Sequence, residues 1–211
     1  MPKQLLFYTN PMSRGRIVRW MLEEIAQPYE TQILEYGATM KAVDYLAINP
    51  MGKVPALKHG DTIITECAAI CAYLADAFPD AKLAPAVNDE LRGSYYRWLF
   101  YGAGPVEAAT SNHALGLELP NDPQKRGMIG YGSLAQVVDV LDNLVSQNAY
   151  ILGSEFSAVD IYLGSQIGWG TQFGTLEKRP AFVDYLSRIL NRPAAVKARA
   201  IDDSLLAKAK S

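Results

Sequence analysis

The stretch Asn49-Pro50-Met51-Gly52-Lys53-Val54-Pro55-Ala56-Leu57 decides how this chain is read. Its first half is dense in turn residues, and its second half is an apolar strand entered through a proline. A proline at the start of a strand, just beyond a glycine turn, admits two readings. It can blunt an edge strand, or it can sit in a cis peptide, since X–Pro gives up only about 0.5–1 kcal/mol on turning cis. In the second reading the Val54 N–H and C=O face outward, as an open edge for an extended peptide. Beyond it, Lys58-His59-Gly60-Asp61 reads as a hairpin loop and Thr62-Ile63-Ile64-Thr65 as the return strand. Glu66 opens a helix whose apolar positions Cys67, Ile70, Cys71 and Leu74 keep i, i+3, i+4, i+7 spacing.

Upstream, Leu5-Leu6-Phe7-Tyr8 is a short apolar run closed by Thr9-Asn10-Pro11, and reads as a buried strand. Ile17, Val18, Met21, Leu22 and Ile25 form a helical stripe that Pro28 stops, and Thr31 to Leu34 supplies a second strand. Strand–helix–strand implies a parallel pair with a crossover. A short helix over Lys41 to Leu46 leads back to the opening stretch, so residues 1–81 read as βαβ-α-ββα.

Downstream the period changes. Residues 82–88, with Pro85 among alanines, read as a linker, and 89–211 is helical in period throughout. Pro105 predicts a kink in an aromatic-rich helix, and Asp122-Pro123 opens another. Leu134, Val137, Val138, Leu141, Leu144 and Val145 sustain a stripe, and Ser157-Ala158-Val159-Asp160 fits a capping box. An α/β unit followed by helices alone is a restrictive architecture.

Composition narrows the function. Among 211 residues, 20 Lys and Arg face 22 Asp and Glu, and 49% are hydrophobic. That balance argues against nucleic acid or a membrane surface as partner. No apolar run approaches the roughly 18 residues of a membrane span. Met1-Pro2-Lys3-Gln4 leads straight into a strand-like run, so no signal peptide is expected and a cytoplasmic location is. Cys67 and Cys71 read as small buried side chains, and His59 and His113 stand isolated, so no metal is expected.

Two further places can carry chemistry. The helix start at Glu66 offers free N–H groups to an anion and a carboxylate to a cation, which suits a zwitterion; the bland alternative is that Thr65 and Glu66 only cap the helix. The loop Tyr8-Thr9-Asn10-Pro11-Met12-Ser13-Arg14-Gly15-Arg16 lies past a strand's C-terminal end, where open α/β sheets bind ligands. Ser13 there is either a helix cap or a presented hydroxyl. No Ser/His/Asp set accompanies it, so it is not read as a triad nucleophile.

Asn49-Pro50-x-Gly52-Lys53-Val54-Pro55-Ala56-Leu57, Glu66-Cys67, Ser157-x-x-Asp160 and Arg192-Pro193 together, in this order and spacing, resemble the cytosolic glutathione S-transferases over essentially the whole chain. The loop makes it similar to the bacterial-type, serine-using variants. The resemblance implies an α/β thioredoxin-like N-terminal domain and an all-α helical C-terminal domain that contributes the electrophile site. It also implies a two-fold homodimer. Glutathione enters as co-substrate and no cofactor is implied. The implied activity is conjugation of the glutathione thiolate to small hydrophobic electrophiles in detoxification, with peroxide reduction on the side; the alternative is a non-catalytic glutathione- or protein-binding member. By resemblance, Val54 beside a cis Pro55 pairs with the cysteinyl part of glutathione. Glu66 and Cys67 hold the γ-glutamyl end, and Lys53 and Lys41 face the glycyl end. Family members commonly carry serine where this chain has Cys67, and a thiol is a weak donor. The thiolate-stabilising donor is expected at Ser13, with Tyr8, Asn10 or a backbone N–H as the alternatives.

Overall fold

A computed structural model describes residues 3–209, so Met1-Pro2, the start of the stretch expected to carry no signal peptide, lies outside the described residues. The first elements are β1 (Leu5–Thr9), α1 (Gly15–Ile25), β2 (Tyr29–Ile33), α2 (Val43–Leu46), β3 (Ala56–His59), β4 (Thr62–Thr65) and α3 (Cys67–Ala77). Next come α4 (Leu91–Tyr101), α5 (Glu107–Ala114), α6 (Pro123–Gly127), α7 (Leu134–Gln147), α8 (Ala158–Phe173), α9 (Pro180–Leu190) and α10 (Pro193–Ala209). The chain forms two compact units, one up to Lys82 together with the residues from Asn191 onward, the other Leu83–Leu190.

In the first unit the strands are ordered β2-β1-β3-β4. β1 pairs in parallel with β2, Leu5 opposite Tyr29, as the crossover through α1 requires. It pairs antiparallel with β3, and β3 with β4 through the expected hairpin. β1 is buried on both faces. Phe7 turns toward α1, where the Arg19 guanidinium lies 5.2 Å from its ring centroid. Tyr8 turns the other way into a cluster with Leu34, Met40, Tyr45 and Ala56. α1 buries the stripe the sequence announced, and α3 packs against it.

α10 also packs on α1, so the helical stretch expected over 89–211 contributes its last helix to the first unit. Charges hold it there. Arg19 Nε donates to Asp202 at 2.7 Å, both side chains about 2% exposed. Lys197 pairs with Glu23 at 2.6 Å, and Arg192 reaches both oxygens of Glu24 at 2.7 and 2.8 Å. The Arg192-Pro193 motif thus combines a charge that seats the helix with a proline at its first position, where no N–H is needed.

In the second unit the kink predicted at Pro105 is a π-helical segment, Gly102–Val106, joining α4 to α5. α8 packs against α4 and α9. Its capping box forms as expected: Asp160 accepts from the Ser157 N–H and hydroxyl at 2.9 and 3.1 Å. The other oxygen of Asp160 accepts from the Ile151 N–H and the Tyr185 hydroxyl, each at 2.9 Å. Burial pushes this carboxyl above its ordinary range, and the four donors pull it back. Among the described residues no helix is long and apolar enough to cross a membrane.

Candidate active site

The sheet register gathers the residues singled out from the sequence. Tyr8 is opposite Ala56, and Ala56 opposite Thr65, so these three lie in one row across the strands. One step beyond the row, at the same end of the sheet, lie the Asn10–Ser13 loop, the Val54-Pro55 dipeptide and the start of α3 at Glu66-Cys67. Three segments far apart in sequence meet because β1 ends where β3 begins and β4 ends.

The Val54-Pro55 bond is cis, as one of the two readings held. β3 starts only at Ala56, and among the described residues nothing bonds to the Val54 N–H or C=O. The peptide before it is fixed twice, because the Lys53 carbonyl accepts from the Tyr45 hydroxyl at 2.6 Å and from Asn49 Nδ2 at 2.8 Å. Burial pushes the Tyr45 phenol up to about 12, so this donor keeps its proton throughout the working pH range. Gly52 turns the loop at φ 57°, a conformation that favours glycine, and the Asn49 carbonyl accepts its N–H at 2.8 Å. Sequence spacing missed Tyr45 altogether and read Asn49 only as a turn residue. The aligned run Tyr45–Asn49–Lys53, one residue every four, was the available signal.

Lys53 and Lys41 are both exposed. Lys41 Nζ donates to the Met51 carbonyl at 3.1 Å, which ties it to the same loop and spends one of its three donors. Glu66 is exposed at the N-cap of α3 and makes no capping hydrogen bond with its side chain, against the bland reading of a mere cap. Its φ of 65° is a conformation that non-glycine residues adopt at a cost of about 1–3 kcal/mol, and such strain gathers at ligand sites. Cys67 opens α3, is nearly buried, and points its Sγ at the Arg14 carbonyl, 3.6 Å away. That contact joins the third segment to the first.

In the first segment α1 begins at Gly15, later than a Ser13 cap would place it. Ser13 nevertheless serves the helix start, its Oγ accepting from the Gly15 N–H at 2.9 Å. The same hydroxyl donates to the Asn10 carbonyl at 2.6 Å. Gly15 is required by closeness, since a Cβ there would collide with Thr9 Oγ1. Asn10 is spent on the turn: its Nδ2 donates to the Leu34 carbonyl at 2.8 Å and its Oδ1 accepts from the Met12 N–H at 2.9 Å. Tyr8 is 7% exposed, its ring 5.6 Å from that of Tyr45. Cys71, one turn beyond Cys67, is fully buried, and burial holds its thiol well above the ordinary range.

The arrangement offers an open backbone edge, a carboxylate beside a helix N-terminus, two lysines and a serine at the start of a second helix. Those are the groups a short zwitterionic peptide with a thiol would meet. Comparison with known proteins gives the family. The glutathione S-transferase N-terminal domain model matches residues 7–82 and the C-terminal domain model residues 80–193. The chain is 30% identical over 205 residues to glutathione S-transferase GstB of Escherichia coli K12, spanning 91% of this chain and 95% of that protein. It is 30% identical over 152 residues to glutathione S-transferase GstA of Escherichia coli O157:H7, spanning 71% and 74%. A solved glutathione transferase from Methylococcus capsulatus Bath superposes with a TM-score of 0.78 at 26% identity, over 95% of this chain and 99% of that one. A sphingomonad glutathione S-transferase solved with glutathione superposes at 0.76 and 26% identity, over 94% and 98%. This chain belongs to the glutathione S-transferase family.

Proposed function

We propose that the protein is a glutathione transferase that ionises the glutathione thiol and conjugates it to small hydrophobic electrophiles. The observation that carries this is the open Val54 backbone on a peptide whose preceding carbonyl is held by Tyr45 and Asn49. An extended cysteinyl residue pairs with that edge as an added strand does. The Glu66 carboxylate meets the γ-glutamyl ammonium, and the N–H of Cys67 at the start of α3 meets its carboxylate. Lys53 and Lys41 face the glycyl carboxylate. Residues of the helical unit select the electrophile, and the working form is a cytoplasmic two-fold homodimer.

The chemistry asked of the protein is modest. A free thiol titrates near pH 8.5, so a few per cent is thiolate at neutrality, and each unit of lowering corresponds to about 1.36 kcal/mol. Ser13 donates a hydrogen bond to the thiolate and attacks nothing itself. The N-terminus of α1 and the cations Arg14 and Arg16 favour the same ionised form. Ser13 is preferred to Tyr8 because it is half-buried at a helix start, while the Tyr8 ring is committed to the cluster around Tyr45. The thiolate then displaces the leaving group of the electrophile.

The test is retention on immobilised glutathione together with turnover of a generic aryl halide. Retention with turnover is the expected result. Retention without turnover on a panel of electrophiles would mean a binding protein, and no retention would sink the reading entirely.

A further inference from the structure

The first helix carries its charges in an order that its own dipole disfavours. Arg16 and Arg19 sit toward the positive N-terminal end, and Glu23 and Glu24 toward the negative C-terminal end. Each is answered from the C-terminal segment, which runs antiparallel: Arg192 to Glu24, Lys197 to Glu23, Asp202 to Arg19 and Asp203 to Arg16. The buried Arg19–Asp202 pair sets the register of α10, and the next residue, Asp203, therefore meets Arg16 at 2.6 Å.

Arg16 differs from the other three in what else it holds. While Nη2 donates to Asp203, Nε donates to the Pro11 carbonyl at 2.7 Å. Pro11 belongs to the loop that carries Ser13. As a staple for the fold the pair is weak, because its side chains are 26% and 57% exposed and exposed ion pairs contribute little. As a tether for the loop it is well formed, since a guanidinium is a rigid fork and both prongs are used. We propose that Arg16 is a positioning residue for the thiolate donor, held in orientation by Asp203, so that the C-terminal helix sets where Ser13 stands. This rests on the function proposed above.

A double-mutant cycle tests it, with kcat, the KM for glutathione and the pH dependence of thiolate absorbance in the glutathione complex as readouts. Arg16→Ala is expected to lower kcat about 10-fold with KM changed less than 2-fold, and to raise the pH at which the bound thiol ionises. Asp203→Ala is expected to lower kcat about 3-fold in the same way, and the double variant to be no worse than Arg16→Ala. Arg16→Lys keeps the charge but loses the fork, and is expected to recover less than half of the loss. Asp203→Ala, at a surface site, carries the test should Arg16→Ala fail to fold. Wild-type kcat and thiol ionisation in Arg16→Ala or Asp203→Ala, whatever happens to Tm, would overturn the proposal, as would losses that multiply in the double variant. If the wild type neither binds nor turns over glutathione, the functional reading fails and this inference with it. Normal wild-type turnover beside an indifferent Arg16→Ala overturns this inference alone.

Discussion

The tripeptide Asn-Pro-Met occurs twice in the first unit, at residues 10–12 and 49–51, and both copies fold into the same turn. In each, the asparagine Oδ1 accepts from the methionine N–H, at 2.9 Å in one and 3.1 Å in the other. Past the methionine the two copies diverge. After Asn49 every bond points back into the protein: Nδ2 holds the Lys53 carbonyl, Lys41 holds the Met51 carbonyl, and the Val54 backbone is left open. After Asn10 the one side chain proposed for chemistry closes a ring on itself, with Ser13 Oγ donating to the Asn10 carbonyl and accepting from the Gly15 N–H. One turn presents its groups ready-made. The other keeps its hydroxyl engaged within the turn.

The difference implies different energetics. A ligand pairing with Val54 displaces no protein bond. A thiolate bonding to Ser13 must win the hydroxyl from the Asn10 carbonyl, which still accepts the Ser13 N–H at 2.9 Å. Giving up a neutral hydrogen bond costs about 1 kcal/mol, and one to a charged acceptor contributes roughly 1.5–3, so the exchange favours the thiolate and not the neutral thiol. As the proposed donor, Ser13 would thereby discriminate between ionisation states. The strongest test is Ser13→Ala, which should lower kcat on the order of 10²-fold while the KM for glutathione stays within about 2-fold. The same loss in Tyr8→Phe with Ser13→Ala indifferent would move the donor to Tyr8 and dissolve the contrast between the turns.

Asn49→Ala strikes the other turn. The side chain is 5% exposed and makes two bonds, so its loss should cost about 2 kcal/mol of stability and raise the KM for glutathione about 10-fold, with kcat changed little. Thermal unfolding and steady-state kinetics read both. An effect on kcat larger than on KM would show that the presenting turn also shapes the chemical step. Tyr45→Phe removes the second donor to the Lys53 carbonyl and leaves Asn49 in place, so about a 3-fold rise in KM is expected. Because the Tyr45 phenol is pushed up to about 12 by burial, its donor is present at every pH below roughly that value. The effect of Tyr45→Phe on KM should therefore be constant between about pH 6 and 9.

Much of the fold, and the gathering of the candidate site residues at one end of the sheet, was legible in the sequence, for reasons that also mark where legibility stops. Alternation and helical periodicity are local, so β1, α1, the β3–β4 hairpin and α3 could be read directly, and turn chemistry located Val54-Pro55. The resemblance of a few motifs in order supplied the candidate site residues. What could not be read was partnership at a distance. Nothing in the stripe of α10 says that Asp202 and Asp203 answer Arg19 and Arg16 more than 180 residues earlier. Nor does spacing say that the Ser13 hydroxyl, read as cap or donor, is in fact closed into a ring with Asn10 and Gly15. Side-chain bonds to backbone carbonyls leave no periodic trace.

The smallest expected effect concerns Cys67, the position where the family resemblance leads one to expect a serine. Cys67 begins α3 beside the strained Glu66, and its thiol is turned to the Arg14 carbonyl across the junction of the two segments. A thiol donates weakly, so in the binding mode proposed above the γ-glutamyl carboxylate would rest chiefly on the backbone N–H groups of the helix start. Cys67→Ser supplies a stronger and shorter-reaching donor. A hydroxyl at that place is too short to keep the 3.6 Å contact with Arg14 unchanged, and a carboxylate at the helix start is the better acceptor. The expected result is a KM for glutathione about 3-fold lower with kcat unaltered, at a small loss of packing in a nearly buried position. If KM does not fall, the hydroxyl has stayed with Arg14 and the helix N–H groups saturate the carboxylate alone. If kcat falls instead, the Cys67–Arg14 contact serves the Ser13 loop, and the first turn is coupled to the start of α3.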